Sequence, residues 1–338
     1  MNGIKKYILF LIMGRDVPSS KFRVLGYLPF LEEMGWNYRI FAGGTGLWMK
    51  WKILKIAGDI DLIFIQKKLF PSFYLRMLKK RNPNIIFDFD DALFAREPTE
   101  KPFRLRKPGT RYTKRRLQEV LQLAVHVIAG NRVLAGYAEL YTQKLSIIPT
   151  PVKLSDYSFN KKGEGPVVIG WLGTGRNLIY LREIESAIQR IATQFPEVEW
   201  RILSDRSYEL DGVSIRNIRW DDSTAMKELS RFDIGLMPLF NDLWSRGKCA
   251  FKILQYMASG IPCVASPVGM NTEVIEEGVT GYLAGNTKEW SDILIRLIRD
   301  GDLRRRIGKN ARQFVEKEFF VENCWEKLKG VLASYLIE

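Results

Sequence analysis

The chain has 338 residues, 46% apolar and 27% charged, enough for two domains with substantial cores and too apolar for a disordered chain. Three cysteines without CxxC spacing (Cys249, Cys263, Cys324) exclude a disulfide framework and fit a reducing compartment, and a single histidine, His126, excludes a His-rich metal centre. The formal net charge is +14, and all of it belongs to the first half: residues 1–150 hold 26 basic and 12 acidic side chains, residues 151–338 hold 26 of each.

Lys5-Lys6 followed by the apolar run 7–13 imitates a secretory leader. The run is short, however, no small-residue cleavage site follows, and Arg15-Asp16 comes at once, so a buried first strand is expected. No stretch approaches the roughly 20 apolar residues of a membrane span. Further short Val/Ile/Leu/Phe runs at 38–41, 62–66, 85–89, 126–129 and 146–149 alternate with helical patterns at 22–34, 73–80, 113–124 and 132–141. The polar stretch 155–165 reads as a linker. A second series follows, with strands at 167–172, 199–203, 214–219, 234–238, 262–266 and 281–284. Its helices are expected at 179–193, 223–230, 250–259, 270–277 and 288–299, then 303–318 and 322–336. The expectation is an α/β chain of two doubly wound, Rossmann-like domains facing each other across a cleft. Their bounds are 1–155 and 165–318, with a helix over 319–338 packing back toward the first.

Parallel sheets bind ligands beyond the carboxyl ends of their strands. Loops rich in small and polar residues stand there at 14–20, 43–46, 173–177 and 267–271. The most informative stretch is 233–284, DIGLMPLFNDLWSRGKCAFKILQYMASGIPCVASPVGMNTEVIEEGVTGYLA. With IGWLGT at 169–174 and the SSKFR start at 19–23, it resembles family 4 glycosyltransferases (glycosyl transferases group 1) of the GT-B fold, bacterial cell-envelope polysaccharide type. The resemblance implies transfer of a sugar from a nucleotide diphosphate sugar to an acceptor hydroxyl. It also implies retention of anomeric configuration, no required cofactor or metal, a donor held by the second domain and an acceptor by the first.

The residues themselves suit a diphosphate. Lys248 and Lys252 flank the expected start of helix 250–259, four apart, and share a face if that helix begins early. Arg246 is a third cation, and Gly173, Thr174, Arg176 and Asn177 form a turn able to meet the same phosphates. The competing readings are a solvated helix face and a plain βα turn. Alignment with the family's LEAMA element puts its ribose-binding glutamate at Gln255, which keeps hydrogen-bonding capacity, and its sugar-side glutamate at Gly247, which does not. Asp205, Arg219, Arg206 and Trp220 end strands near the expected base, and Ser19, Ser20, Arg23 and Asn131 are further cleft candidates; His126 reads as structural.

IIFDFDDALF at 85–94 ends a strand in Asp88, Asp90 and Asp91. Three readings stand: a metal-holding DxD, the DxDxT of a phosphatase with Ala92 in place of threonine, or an aspartate on the acceptor side of a GT-B cleft. Period-2 alternation puts Asp88 and Asp90 on one side and Asp91 on the other. Asp90, then Asp88, are the candidates for acceptor activation.

Residues 101–116 hold eight basic residues and no acid, and LWMKWKILKI at 47–56 interleaves two tryptophans with three lysines. This pattern suits an anionic membrane surface and a glycan or lipid-linked acceptor, hence a cytoplasmic protein peripheral to the inner face of the plasma membrane. No nucleic-acid motif accompanies the charge. Besides the transferase, two other functions remain: an inactive sugar-nucleotide-binding or scaffold protein, motivated by Gly247 and the missing cleft histidine, and a DxD phosphatase.

Overall fold

A computed structural model describes residues 6–44, 46–98, 108–159 and 165–336. Residues 101–107 of the basic run 101–116, and residues 160–164 of the expected linker, lie outside the described residues. Twelve strands form two wholly parallel, six-stranded sheets. The first comprises β1 (Tyr7–Ile12), β2 (Asn37–Ala42), β3 (Leu62–Gln66), β4 (Ile85–Phe89), β5 (His126–Ala129) and β6 (Leu145–Ile147), ordered β2-β1-β3-β4-β5-β6. The second comprises β7 (Val168–Leu172), β8 (Glu199–Ser204), β9 (Ile215–Arg219), β10 (Ile234–Met237), β11 (Cys263–Ala265) and β12 (Tyr282–Leu283), ordered β12-β11-β10-β7-β8-β9.

Central strands such as β1, β3 and β4 read as apolar runs because both faces of the sheet are covered there. Ile8 to Ile12, Ile63 to Ile65 and Ile85 to Phe87 are all buried, in a register that pairs Leu9 with Ile63 and Ile65 with Phe87. Order reverses between β1 and β3 in one sheet and between β7 and β10 in the other, and these two switch points are where such sheets leave a crevice at the strand ends.

Contacts divide the chain into two units. The N-terminal unit is residues 1–151 together with Gly247–Cys249 and the segment from Val321 onward; the second unit is Val152–Arg246 with Ala250–Phe320. Helix Val321–Leu336 packs within the N-terminal unit: the Trp325 ring stacks on Phe30 at 5.5 Å and lies 6.0 Å from Tyr27, and Tyr335 Oη donates to the Val125 carbonyl.

Some expected helices are shorter or broken. The segment 22–34 is a helix Pro18–Arg23, a 3-10 turn Leu25–Tyr27 and a second helix Leu28–Glu33. Pro29 lacks the N–H that would join these pieces into one ladder. Gly35 does close the last piece in a left-handed conformation (φ 69°), its amide bonded to the Glu32 carbonyl. Residues 175–184 form a 3-10 segment ahead of helix Glu185–Gln194, and 270–277 contributes only Asn271–Val274.

Candidate functional site

In the second unit, β7 ends at the switch point and runs into the loop 173–177. The Gly175 amide donates to Asp205 Oδ1 at 2.5 Å, and Asn177 Nδ2 donates to Thr174 Oγ1 at 3.1 Å. A Cβ on Gly173 would stand 2.6 Å from Lys252 Cε, and the Lys252 ammonium lies 5.3 Å from the centre of the Trp171 ring. Glycine is therefore what lets the lysine stem lie along the loop. A Cβ on Gly175 would likewise meet the stem of Arg206 at 2.5 Å. Gly173, Thr174 and Lys252 thus meet at one place, with Arg176 exposed beside them.

Lys252 is the second residue of helix Phe251–Ala258, and the helix begins no earlier. Lys248 lies outside it, so the shared helical face expected of the two lysines does not form. Between them Ala250 adopts a left-handed conformation (φ 48°, ψ 21°), a strained choice for alanine of about 1–3 kcal/mol. Arg246 closes the short helix Leu243–Arg246 with Nε donating to Asn241 Oδ1, its backbone against Gly269.

Of three further expected second-unit ligands, two make internal hydrogen bonds and one lies at a sheet edge. Gln255 is buried in the middle of its helix, where its Nε2 donates to Tyr157 Oη at 3.2 Å. Asp205 holds the loop amide of Gly175. Arg219 ends β9, the edge strand two strands from the switch point.

The polar centre of the N-terminal unit stands at the ends of β3, β4 and β5. Asp88 is buried and accepts a two-pronged pair from Arg23, Nε at 3.0 Å and Nη2 at 2.5 Å. Arg23 Nη1 also reaches the Ile148 carbonyl at 2.9 Å. Burial alone would lower the Arg23 pKa, but the charge and hydrogen bonds of Asp88, with the nearby Asp90, together outweigh it and hold the guanidinium ionised. Arg23 and Asp88 are thus an internal ion pair and not ligand contacts, and a phosphoryl-accepting Asp88 would need oxygens that Arg23 already occupies. Ser20 is buried, its hydroxyl donating to Gln66 Oε1 at 2.9 Å; Ser19 is buried with no partner for its own.

Asp90 and Asp91 do not alternate. The strand ends at Phe89, and both carboxylates face Lys67: Asp90 Oδ1 stands 3.3 Å from its ammonium, and Asp91 is in contact with it. Lys67 itself adopts a left-handed backbone (φ 59°), its amide donating to the Asp88 carbonyl at 2.7 Å. Burial would lower the Lys67 pKa, but the two carboxylates raise it above the usual lysine range. Burial raises the Asp90 pKa against the pull of Lys67, and Asp90 Oδ1 accepts no well-formed hydrogen bond. Asp90 is therefore a desolvated carboxyl paired with Lys67, and burial favours its taking up a proton. Lys67 was invisible to sequence reasoning, since Lys67-Lys68 after a strand looks like solvated charge; its left-handed backbone is the signal.

Asn131, expected to touch ligand, caps helix Arg132–Ala138 through Leu134 N and clamps the backbone carbonyls of Gly247 and Lys248 at 3.0 and 3.1 Å. Gly247 is buried, and a Cβ there would stand 2.6 Å from Ala92 Cβ, so the place of the family's glutamate has no room for a side chain. Next to it, Cys249 Sγ donates to the Asp90 carbonyl at 3.3 Å, and burial pushes that thiol well up, leaving it protonated.

Residues 168–300 match the family described as Glycosyl transferases group 1. N-acetyl-alpha-D-glucosaminyl L-malate synthase of Bacillus anthracis is 42% identical over 86 residues, 25% of this chain and 23% of that protein. The capsular polysaccharide biosynthesis glycosyltransferase CapM of Staphylococcus aureus is 29% identical over 87 residues, again 25% and 23%. The chain therefore spans less than a quarter of the length of these two relatives. The crystal structure of Anabaena HepE in complex with UDP and glucose superimposes with a TM-score of 0.72 over 97% of this chain and 100% of that one, at 16% identity. Residues 168–300, which carry the Lys252 loop, thus match the glycosyl transferases group 1 model, and the two parallel α/β sheets share the fold of the HepE structure, the GT-B fold.

Proposed function

We propose that this chain transfers a sugar from a nucleotide diphosphate sugar to an acceptor hydroxyl, with retention and without a metal, in polysaccharide or glycolipid assembly. The observation that carries the reading is the Lys252 stem laid over Gly173 at the switch point of the second sheet, inside the family-matched stretch. There the Lys252 ammonium, the Thr174 hydroxyl and the exposed Arg176 side chain are the donors offered to a diphosphate. Catalysis by such a site is positioning plus stabilisation of the departing diphosphate; Lys252 meets the charge that grows as the glycosidic bond lengthens. In the N-terminal unit, Asp90 is the group that accepts a hydrogen bond from the acceptor hydroxyl, while Lys67 holds it oriented.

The complex of HepE with UDP and glucose makes UDP-sugars the first donors to try. A thermal-shift screen of UDP-, GDP-, ADP- and CMP-sugars should find stabilisation by a diphosphate nucleotide and none by the CMP-sugar. Transfer assays on the stabilising donor then follow, with the anomer of the product assigned by NMR and activity compared with and without chelator. Because Gly247 leaves no room for the family's sugar-side glutamate, a binding protein without turnover is the second reading. Nucleotide binding with neither donor hydrolysis nor transfer over an acceptor panel would select it.

A further inference from the structure

Helices Leu47–Ile56 and Ser72–Arg81 of the N-terminal unit adjoin: Tyr74 Oη donates to the Lys50 carbonyl at 3.0 Å, and the Lys50 ammonium lies 5.9 Å from the Tyr74 ring. Each helix buries one face, through Ile53 on the first and Tyr74, Leu75 and Leu78 on the second. Their outward faces are apolar as well. Leu47 is 83% exposed, Trp48 67%, Trp51 60%, Phe73 64% and Met77 48%. These are five of the twelve large apolar side chains exposed among the described residues, gathered on two neighbouring elements where chance scatter would spread them.

Cations are interleaved with them. The first helix carries Lys50, Lys52 and Lys55, the second Arg76, Lys79, Lys80 and Arg81, and neither contains a carboxylate. Lys52 lies over the Trp48 ring at 5.1 Å and Lys55 over Trp51 at 5.5 Å, so each indole has an ammonium at its own level. That layering belongs to the boundary between headgroups and acyl chains, where an aromatic ring enters and a lysine reaches phosphate.

We propose that this face docks the protein on an anionic lipid bilayer. A second copy would set like charge against like charge, and a nucleic acid duplex offers phosphates but no apolar layer for Trp48 and Trp51. A bilayer of anionic lipid complements both properties at once.

The test is co-sedimentation of the full chain with phosphatidylcholine vesicles, with and without phosphatidylglycerol. Binding is expected only with phosphatidylglycerol, weakening as salt is raised, with tryptophan fluorescence quenched by brominated acyl chains. Trp48→Ser with Trp51→Ser should lower partitioning at least about tenfold and abolish most of that quenching, with an unchanged melting temperature because both side chains already face solvent. Lys52→Glu with Lys55→Glu, a second variant, should lower binding and its salt dependence together. Failure to sediment with phosphatidylglycerol vesicles would overturn the proposal. So would equal binding by the tryptophan variant, or a self-association that the variant loses. None of these outcomes bears on the donor site, whose thermal-shift response is read without vesicles.

Discussion

The two polar centres stand at equivalent places, the carboxyl ends of parallel strands, yet they are built on opposite plans. In the N-terminal unit, charges are buried and already paired: Arg23 on Asp88, Lys67 on Asp90 and Asp91. In the second unit, glycines bring a lysine stem and loop amides to one place, with positive charge held beside a turn. The second plan puts positive charge beside a loop, where the diphosphate of the proposed donor would meet it. The first plan would offer the proposed acceptor hydroxyl the carboxylate of Asp90, which burial and Lys67 hold in place.

Four substitutions test this contrast. The largest effect should come from Arg23→Met, which leaves Asp88 buried without its guanidinium and should lower unfolding stability by about 3–5 kcal/mol in a denaturant titration. A loss of only a few tenths would mean the pair is dispensable and the first centre more open than described. Lys252→Ala should lower turnover about 100- to 1,000-fold with little change in melting temperature; equal loss of both would make the lysine structural.

Asp90→Asn should lower transfer about 100-fold and reshape the pH profile. Burial raises the Asp90 pKa above its ordinary value of 3.8, so its proton persists to higher pH than on a solvated aspartate. Activity that needs the carboxylate must then fall, as pH is lowered, at a higher pH than an exposed aspartate would give. The asparagine variant should lack that acidic limb; an identical limb in the variant would assign it elsewhere. The smallest effect is expected from Ala250→Gly, which relieves a left-handed alanine and should raise stability by about 1 kcal/mol, with turnover falling if the strained turn positions Lys252.

Much of the scaffold was legible. Strands β3, β4 and β5 coincide with their apolar runs because strands covered on both faces must be apolar throughout. The Gly173 turn was legible for the same kind of reason, a loop that only small residues allow. What sequence could not reveal is pairing across distance. Arg23 and Asp88 are 65 residues apart, and nothing local to either marks the other. Alternation misplaced Asp91 because period 2 holds only while the strand continues, and β4 stops at Phe89. Nor could alignment show that the Gln255 amide bonds the Tyr157 hydroxyl, 98 residues away in the chain.

The N-terminal unit recruits helix Val321–Leu336, whose Trp325 covers Tyr27 and Phe30. During synthesis, β1 to β6 emerge from the ribosome early but lack part of their hydrophobic cover until the whole second unit has been made. The half translated first is thus the half completed last, and a chaperone that shields apolar surface has its longest interval of work on that half. A fragment ending after β6 would carry bare aromatic rings where Trp325 belongs, so the N-terminal unit is best expressed with the later helix supplied in trans or spliced back by a linker.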